Sequence, residues 1–366
     1  MSEDNELCVD RHLAHFDRYD EEVDVTRSWD AYLTNVYSDQ CSSFYFDRYP
    51  EFSLKYDSSP LRPAFTASFE DEYGIVGYLV SRRKPEHKDA NKLLRKLEVY
   101  DSISQIPNSP TSTTSPDKID LMLLVNSSVA TSLGKQIADL TGPTGPYSLQ
   151  HNIVLIRYQF ETGGDVPLYQ FNRELALDQE FRDSALPDHD SLSVNIGAEG
   201  GYQRIDVSPE KFIGNKKQFP VTNSKPPRPY LATYLWDKVF PDDLADDQFR
   251  AWKDGKMNTV VDLVYSDLDQ LTNTLTQQHI PQSNIQTEWV EDTLDFLCDA
   301  RQADHANGSY TIKFTGVIRS PDEDSENRSY EDEISERGTR FIKRYCKHEE
   351  EADTDGQSTL DNYADD

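Results

Sequence analysis

The apolar positions along the chain mark out helices and strands before any chemistry is considered. Trp29, Leu33 and Val36 recur at helical spacing and predict a helix over Arg27–Tyr37. Phe65–Phe69 and Gly74–Val80 alternate or run apolar on either side of the polar stretch Asp71–Gly74, which predicts a β-hairpin. Leu93, Leu94, Leu97 and Tyr100 mark one face of a helix over Asp89–Ser102. The Ser/Thr/Pro-rich run Ile106–Asp117 reads as a loop. Ile119–Val125 reads as a buried strand, and Ser127–Leu140 as a helix capped by Ser127 or Ser128. A turn at Gly142–Pro146, a strand at Ile153–Phe160 and a short strand at Leu168–Phe171 follow. Strands separated by helices over residues 60–171 predict an α/β fold: a mixed, partly parallel sheet with helices on its faces.

The second half of the chain is mainly helical in pattern. Helices are predicted at Pro229–Val239, Asp243–Trp252, Met257–Val264, Asp267–Gln278 and Ile285–Ala300. A polar turn at Ala303–Ser309 leads into a strand, Tyr310–Phe314. Residues 321–333 are acidic and read as disordered, a short basic helix is predicted at Ile334–Tyr345, and residues 348–366 form an acidic tail. The expected organisation is therefore an acidic segment 1–24, an α/β domain 25–175 and an irregular region with a basic linker 176–229. A mainly helical domain 230–320 and a largely disordered tail 321–366 complete it.

Composition changes this picture in one respect. The formal net charge is −29, with 66 acidic against 37 basic residues. Disorder of the whole chain is excluded, because 4 Trp, 20 Tyr and 16 Phe are ample for cores. Arg outnumbers Lys and acids are spread throughout, a composition that resembles proteins of salt-in halophiles. In molar salt the Debye length falls to about 3 Å, so self-repulsion is screened and global charge does not exclude a nucleic-acid partner. No apolar run approaches the roughly 18 residues of a membrane span. The start MSEDNELC lacks the basic and apolar regions of a secretory signal, so a cytoplasmic location is expected.

The four cysteines, Cys8, Cys41, Cys298 and Cys346, show no CxxC spacing and read as reduced structural thiols. Close His/Cys pairs of the zinc-site kind are not evident, so no metal is expected there. No HExxH, GxSxG or phosphate-loop motif is present.

Residues 25–171 carry a pattern of strands and motifs worth comparing with a known family. Arg62-Pro63-Ala64-Phe65-Thr66 opens one strand, Ile75–Arg83 forms the next, and the helix after it ends in Leu97-Glu98-Val99-Tyr100. This stretch resembles the PD-(D/E)xK restriction-endonuclease-like superfamily. In active members an Asp follows the Pro, and a Glu-x-Lys or Asp-x-Lys lies on the next strand. Two carboxylates then hold a hard divalent cation while the Lys steadies the attacking water. Here Ala64 stands where the Asp would be. Tyr78 and Val80 stand in the place of Glu-x-Lys, or Ser81 and Arg83 in a shifted register. The resemblance thus implies a degenerate scaffold with no catalytic residues and no cofactor. Two alternatives stay open. One is an unrelated α/β domain. The other is an active enzyme using Mg²⁺ or Mn²⁺ with migrated ligands, drawn from Glu98, Glu70, Asp71 and Lys92.

Two further features suggest partners. The helix Asp267–Gln278, a break with Pro281, the helix Ile285–Ala300, a tip at Asn307-Gly308 and the strand Tyr310–Phe314 resemble a winged helix. That resemblance implies base-edge contacts from Asn284, Gln286 and Thr287, together with Gln282 and Ser283, and phosphate contacts from Lys313, with Arg301 and Arg319. Against it, the same helix carries Glu288, Glu291, Asp292, Asp295 and Asp299. A separate run, Lys211–Arg228, holds Lys211, Lys216, Lys217, Lys225 and Arg228, and no acid occurs from Lys211 to Trp236. It reads as an interdomain linker or as a phosphate-contacting strap. Finally, Gln357, Leu360 and Tyr363 resemble a sliding-clamp-interaction box, in which two apolar residues at i, i+3 plug a pocket. The expected function is a non-catalytic accessory of DNA metabolism with DNA and a sliding clamp as partners. An active nuclease, a winged-helix transcription regulator and an interaction protein unrelated to DNA are the alternatives.

Overall fold

A computed structural model describes residues 3–37, 43–48, 50, 52, 54–56, 59–69, 73–80, 87–106, 116, 118–161, 168–173, 205–207, 225–257, 259–280, 285–315 and 330–354. The chain divides into two compact units, Glu21–Lys217 and Met1–Asp20 with Gln218–Asp366. The first helix, α1 (Glu3–Tyr37), contributes residues to both. It starts far upstream of the expected Arg27, because Val9, Phe16, Tyr19 and Val23 extend the buried stripe back along the acidic segment.

The unit Glu21–Lys217 is built on β1 (Phe44–Arg48), β2 (Lys55–Tyr56), β3 (Ser59–Pro60), β4 (Phe65–Phe69), β5 (Tyr73–Val80), β6 (Lys118–Asn126), β7 (Asn152–Glu161), β8 (Leu168–Arg173) and β9 (Ile205–Val207). A two-stranded ribbon joins β2 to β3, and the other strands form a seven-stranded mixed sheet in the order β1-β4-β5-β6-β7-β8-β9. The β1, β4 and β5 strands form an antiparallel meander. Helix α2 (His87–Tyr100) then carries the chain to β6, parallel to β5, and α3 (Ser127–Thr141) carries it to β7, parallel to β6.

Helices cover both faces of this sheet. Val25, Trp29, Tyr32 and Leu33 of α1 pack with Phe65, Phe69, Met122, Leu124 and Ile156 on one face. Leu94 and Leu97 of α2 and Leu133 and Ile137 of α3 pack with Val76, Leu121, Leu123 and Leu155 on the other. A central strand covered on both sides has no polar face to offer. That is why Leu121–Val125 of β6 reads as an unbroken apolar run.

The second unit contains α4 (Arg228–Tyr234), extended by a π-helical turn at Leu235–Val239, and α5 (Asp246–Lys253). Next come β10 (Val261–Tyr265), α6 (Leu268–Thr274) with a π-helical turn to His279, and α7 (Thr287–Asp299). The hairpin β11 (Ala303–Ala306) and β12 (Ser309–Phe314) and the long helix α8 (Tyr330–Thr354) follow. The β strands form an antiparallel sheet in the order β10-β12-β11. The hairpin tip is Asn307-Gly308, with φ of 54° and 74°. Two consecutive positive φ values make the turn that matches strand twist, and Asn-Gly is the pair best suited to it.

The expected helix over Met257–Val264 is corrected to the strand β10, whose Leu263 pairs with Ile312 and alone is buried. Val261, Val264 and Tyr265 are β-branched or aromatic, and cross-strand pairing with β12 outweighs a helical pattern that has no covered face. Two expectations of disorder are also corrected, since α8 runs through residues 330–333 and 348–354. The core of this unit centres on Trp236, whose ring lies 5.1 Å from Phe314 and 5.2 Å from Phe341. Helix α8 lies antiparallel to the start of α1. Gly338 faces Phe16 so closely that a Cβ there would stand 2.6 Å from the ring. No helix among the described residues is long and apolar enough to cross a membrane.

Candidate functional site

Ala64, Tyr78 and Val80 lie where β4 and β5 meet. The register pairs Phe65 with Gly77 and Thr66 with Val76. One step further along, the Ala64 amide donates to the Gly77 carbonyl at 2.8 Å, which brings Ala64 beside Tyr78. The side chains then diverge. Ala64 packs on the α1 side of the sheet, and Tyr78 and Val80 on the α2 side. Gly77 is required here, because a Cβ would stand 2.1 Å from the Phe65 ring. Tyr78 is engaged by a cation: Lys96 Nζ donates to its hydroxyl at 3.2 Å and lies 5.6 Å from its ring centroid.

The fallback ligands do not converge. Lys92 and Glu98 are both exposed on α2, six positions and so about 120° apart around the helix. Asp71 and Glu70, like Ser81 and Arg83, lie outside the described residues. Sequence reasoning missed two buried carboxylates in this unit. Asp47, 6% exposed, stands opposite Thr66, and burial with Asp47 beside it pushes the Tyr45 hydroxyl up to about 12. Asp120 is fully buried opposite Ile75 and Asn152, whose Nδ2 donates to it at 3.4 Å. Strand alternation places Asp47 with Thr66 on the α2 face and Asp120 with Met122 on the α1 face. They are therefore not a pair that could share one cation. Nothing in the pattern marked them, since each interrupts an apolar strand only once.

In the second unit, most of the expected DNA-contacting side chains that fall among the described residues already have intramolecular partners. Lys225 pairs with Asp292. Arg228 lies over the rings of Phe296 and Tyr345, 5.7 and 5.4 Å from their centroids, and its Nη2 donates to the Tyr345 hydroxyl at 3.5 Å. The Thr287 hydroxyl donates to Asp269 at 2.7 Å, and Lys313 pairs with Asp304 at 2.8 Å. Gln286 is exposed at the N-cap of α7. Asn284, Lys211, Lys216 and Lys217 lie outside the described residues, as do Gln282, Ser283 and Arg319 and the tail residues Gln357, Leu360 and Tyr363. The outer face of α7 presents Glu288, Glu291, Asp295 and Asp299, and Asp295 accepts a hydrogen bond from Tyr310 at 2.7 Å. This face is electronegative along its whole length.

One cluster of chemistry-bearing groups comes together that spacing did not indicate. Cys8 of α1 and Cys346 of α8 are joined as a disulfide across 338 positions, with a Cα–Cα distance of 5.9 Å. This corrects the reading of all four cysteines as reduced thiols. A nitrogen of His12, one helical turn beyond Cys8, lies within 4.8 Å of both sulfurs. Its ring packs edge-on against Tyr345 at 5.3 Å. Burial, then Arg228, Arg11 and His15, pull the His12 imidazole down to about 4, so the ring is neutral at ordinary pH. By contrast, the free Cys298 thiol is pushed up to about 11, first by burial and then by Asp295, Asp299 and Asp304. At ordinary pH that keeps it in the thiol form, the weaker nucleophile. The signal overlooked was Cys8-x-x-x-His12, which places both side chains on one face once the helix is extended back to Glu3.

With this geometry in view, the fold defines the chain as a mixed α/β protein. No protein-family model, curated protein or solved structure matches it.

Proposed function

We propose that this chain is a non-catalytic accessory protein of DNA metabolism, in which a nuclease-like α/β scaffold holds a partner rather than cutting it. One observation carries the reading. The antiparallel pair β4–β5, helix α2 and the parallel buried strand β6 follow one another in an order that fits the resemblance, and Ala64, Tyr78 and Val80 along it are neutral. Those neutral side chains, with Lys96 bound to Tyr78, leave the phosphodiester-cleaving chemistry without its carboxylates.

The second unit supports a winged-helix-like role directed at protein. Its order of strand β10, helices α6 and α7 and the hairpin β11–β12 fits that resemblance. The acidic outer face of α7 and the pairing of Lys225, Arg228 and Lys313 favour a basic protein surface over DNA as the neighbour of this helix. The clamp-like box at Gln357, Leu360 and Tyr363 is the proposed tether to replication machinery.

The test is an electrophoretic and cleavage assay in molar KCl on single-stranded, duplex and branched DNA, with and without Mg²⁺ or Mn²⁺. Retention of at least one of these DNAs without strand scission is expected. Scission that depends on manganese sinks the non-catalytic reading, and no retention of any substrate sinks the DNA reading.

A further inference from the structure

We propose that Cys8, His12 and Cys346 form a binding site for a soft divalent cation of the zinc type when the two sulfurs are reduced, and that cation and disulfide exclude each other. The proposal is independent of any role in DNA metabolism. Three observations bear on it. Thiolate and imidazole are the ligand types zinc selects, and two thiolates with one imidazole make a recurrent donor set. The three ligand atoms already lie within 4.8 Å of one another. Two sulfurs about 2.3 Å from a tetrahedral ion stand about 3.8 Å apart, so reduction needs to separate them only modestly.

The scaffold holds the donors in place from both sides. Cys8 and His12 share one face of α1, and Cys346 projects from α8, which runs antiparallel to it. The close approach of Gly338 to Phe16, eight residues from the disulfide along each helix, fixes the spacing of the two axes. Cys346 is 1% exposed and Cys8 is 8% exposed, so the sulfurs are shielded, whereas His12 is only partly buried and leaves an approach for the ion. Three protein ligands leave a fourth tetrahedral position for water.

The exchange between states balances with a peroxide as oxidant. The two metal-bound thiolates give two electrons to hydrogen peroxide. The S–S bond forms, the O–O bond breaks, two hydroxide ions are produced, and the divalent ion leaves with His12 released. A thiol reductant returns the dithiol and restores the site. In one state α1 and α8 are stapled covalently, and in the other they are bridged through the ion.

The experiment uses the full chain, reduced, stripped with a chelator and titrated with Co²⁺ in molar KCl. An intense sulfur-to-cobalt charge-transfer band saturating at one equivalent is expected, with displacement by Zn²⁺. Added peroxide should release that equivalent. His12→Gln should weaken binding more than about tenfold while leaving disulfide formation intact, which a purely structural staple would not predict. Cys346→Ser should abolish the band, and Cys298→Ser should leave it unchanged. The proposal is overturned if the reduced chain, with native circular dichroism, shows no such band. It is equally overturned if the band survives Cys346→Ser, or if His12→Gln binds as tightly as the parent.

Discussion

Single side chains show how this protein combines burial with charge. Asp30 on α1 is the clearest titrating case. Burial raises its carboxyl above the usual 3.8, with Arg48, 3.5 Å away, and the Thr34 hydroxyl opposing that shift. A carboxyl whose folded value is raised binds its proton more tightly in the native than in the unfolded state. Its contribution to stability is therefore greatest below 3.8 and falls as pH rises through the native value. Asp30→Asn removes that fall. The difference in urea midpoint between variant and parent should move in the variant's favour from pH 3 to pH 7, whatever its starting offset from the lost Arg48 contact. A flat or opposite trend would show that Arg48, not burial, governs the group. At this scale the neutral character of Ala64, Tyr78 and Val80 was legible, since it is read straight from the sequence. Their partners were not, because the Lys96–Tyr78 contact joins a helix to a strand across 18 positions.

Among the elements, the sheet and its crossover helices could be read closely from the apolar pattern. The hairpin β4–β5, the helices α2 and α3 and the strands β6, β7 and β8 each fall within a few residues of the expected bounds. Strands β1, β9 and β11 were missed because they are edge strands of three to five residues, too short to show a period. Helix α3 shows a finer difference. Its N-cap is Asn126, not Ser127 or Ser128, and the Asn126 side chain accepts from the Ser128 amide at 3.1 Å and the Ser128 hydroxyl at 2.7 Å. The Asn126 Nδ2 in turn donates to Glu21 of α1 at 2.9 Å, so one residue ends a strand, starts a helix and ties in a third element. Asn126→Ala should cost about 1–2 kcal/mol in unfolding free energy by denaturant titration, the upper part of the range for a lost cap. Asn126→Asp keeps the cap but sets a carboxylate against Glu21, and should recover only part of that loss, more of it in high salt.

For the whole molecule, charge governs behaviour in solution. A net charge of −29 on 366 residues repels itself in dilute buffer, and screening relieves that repulsion. The thermal midpoint should therefore climb as KCl is raised from millimolar to molar, and continue climbing past the concentration at which a non-halophilic protein levels off. A midpoint insensitive to salt would remove the halophile-type reading of the composition. Domain organisation was the least legible property. Of the expected acidic segment 1–24, residues 1–20 cluster with a unit built mainly from the other end of the chain. Local patterning reports which residues are apolar, and a partner more than 300 positions away leaves no trace in a short window.

That long-range closure has a consequence for biosynthesis. Residues 3–20 emerge from the ribosome long before the helix they pack against, Tyr330–Thr354. At about 5–20 residues per second, the 338 positions between Cys8 and Cys346 take roughly 20–70 s to translate. Throughout that interval Val9, Phe16 and Tyr19 present an unsatisfied greasy stripe on the nascent chain. The Glu21–Lys217 unit, contiguous in sequence, can mature while its neighbour waits, so a chaperone that shelters the N-terminus should raise the yield of this protein more than one acting on the released chain.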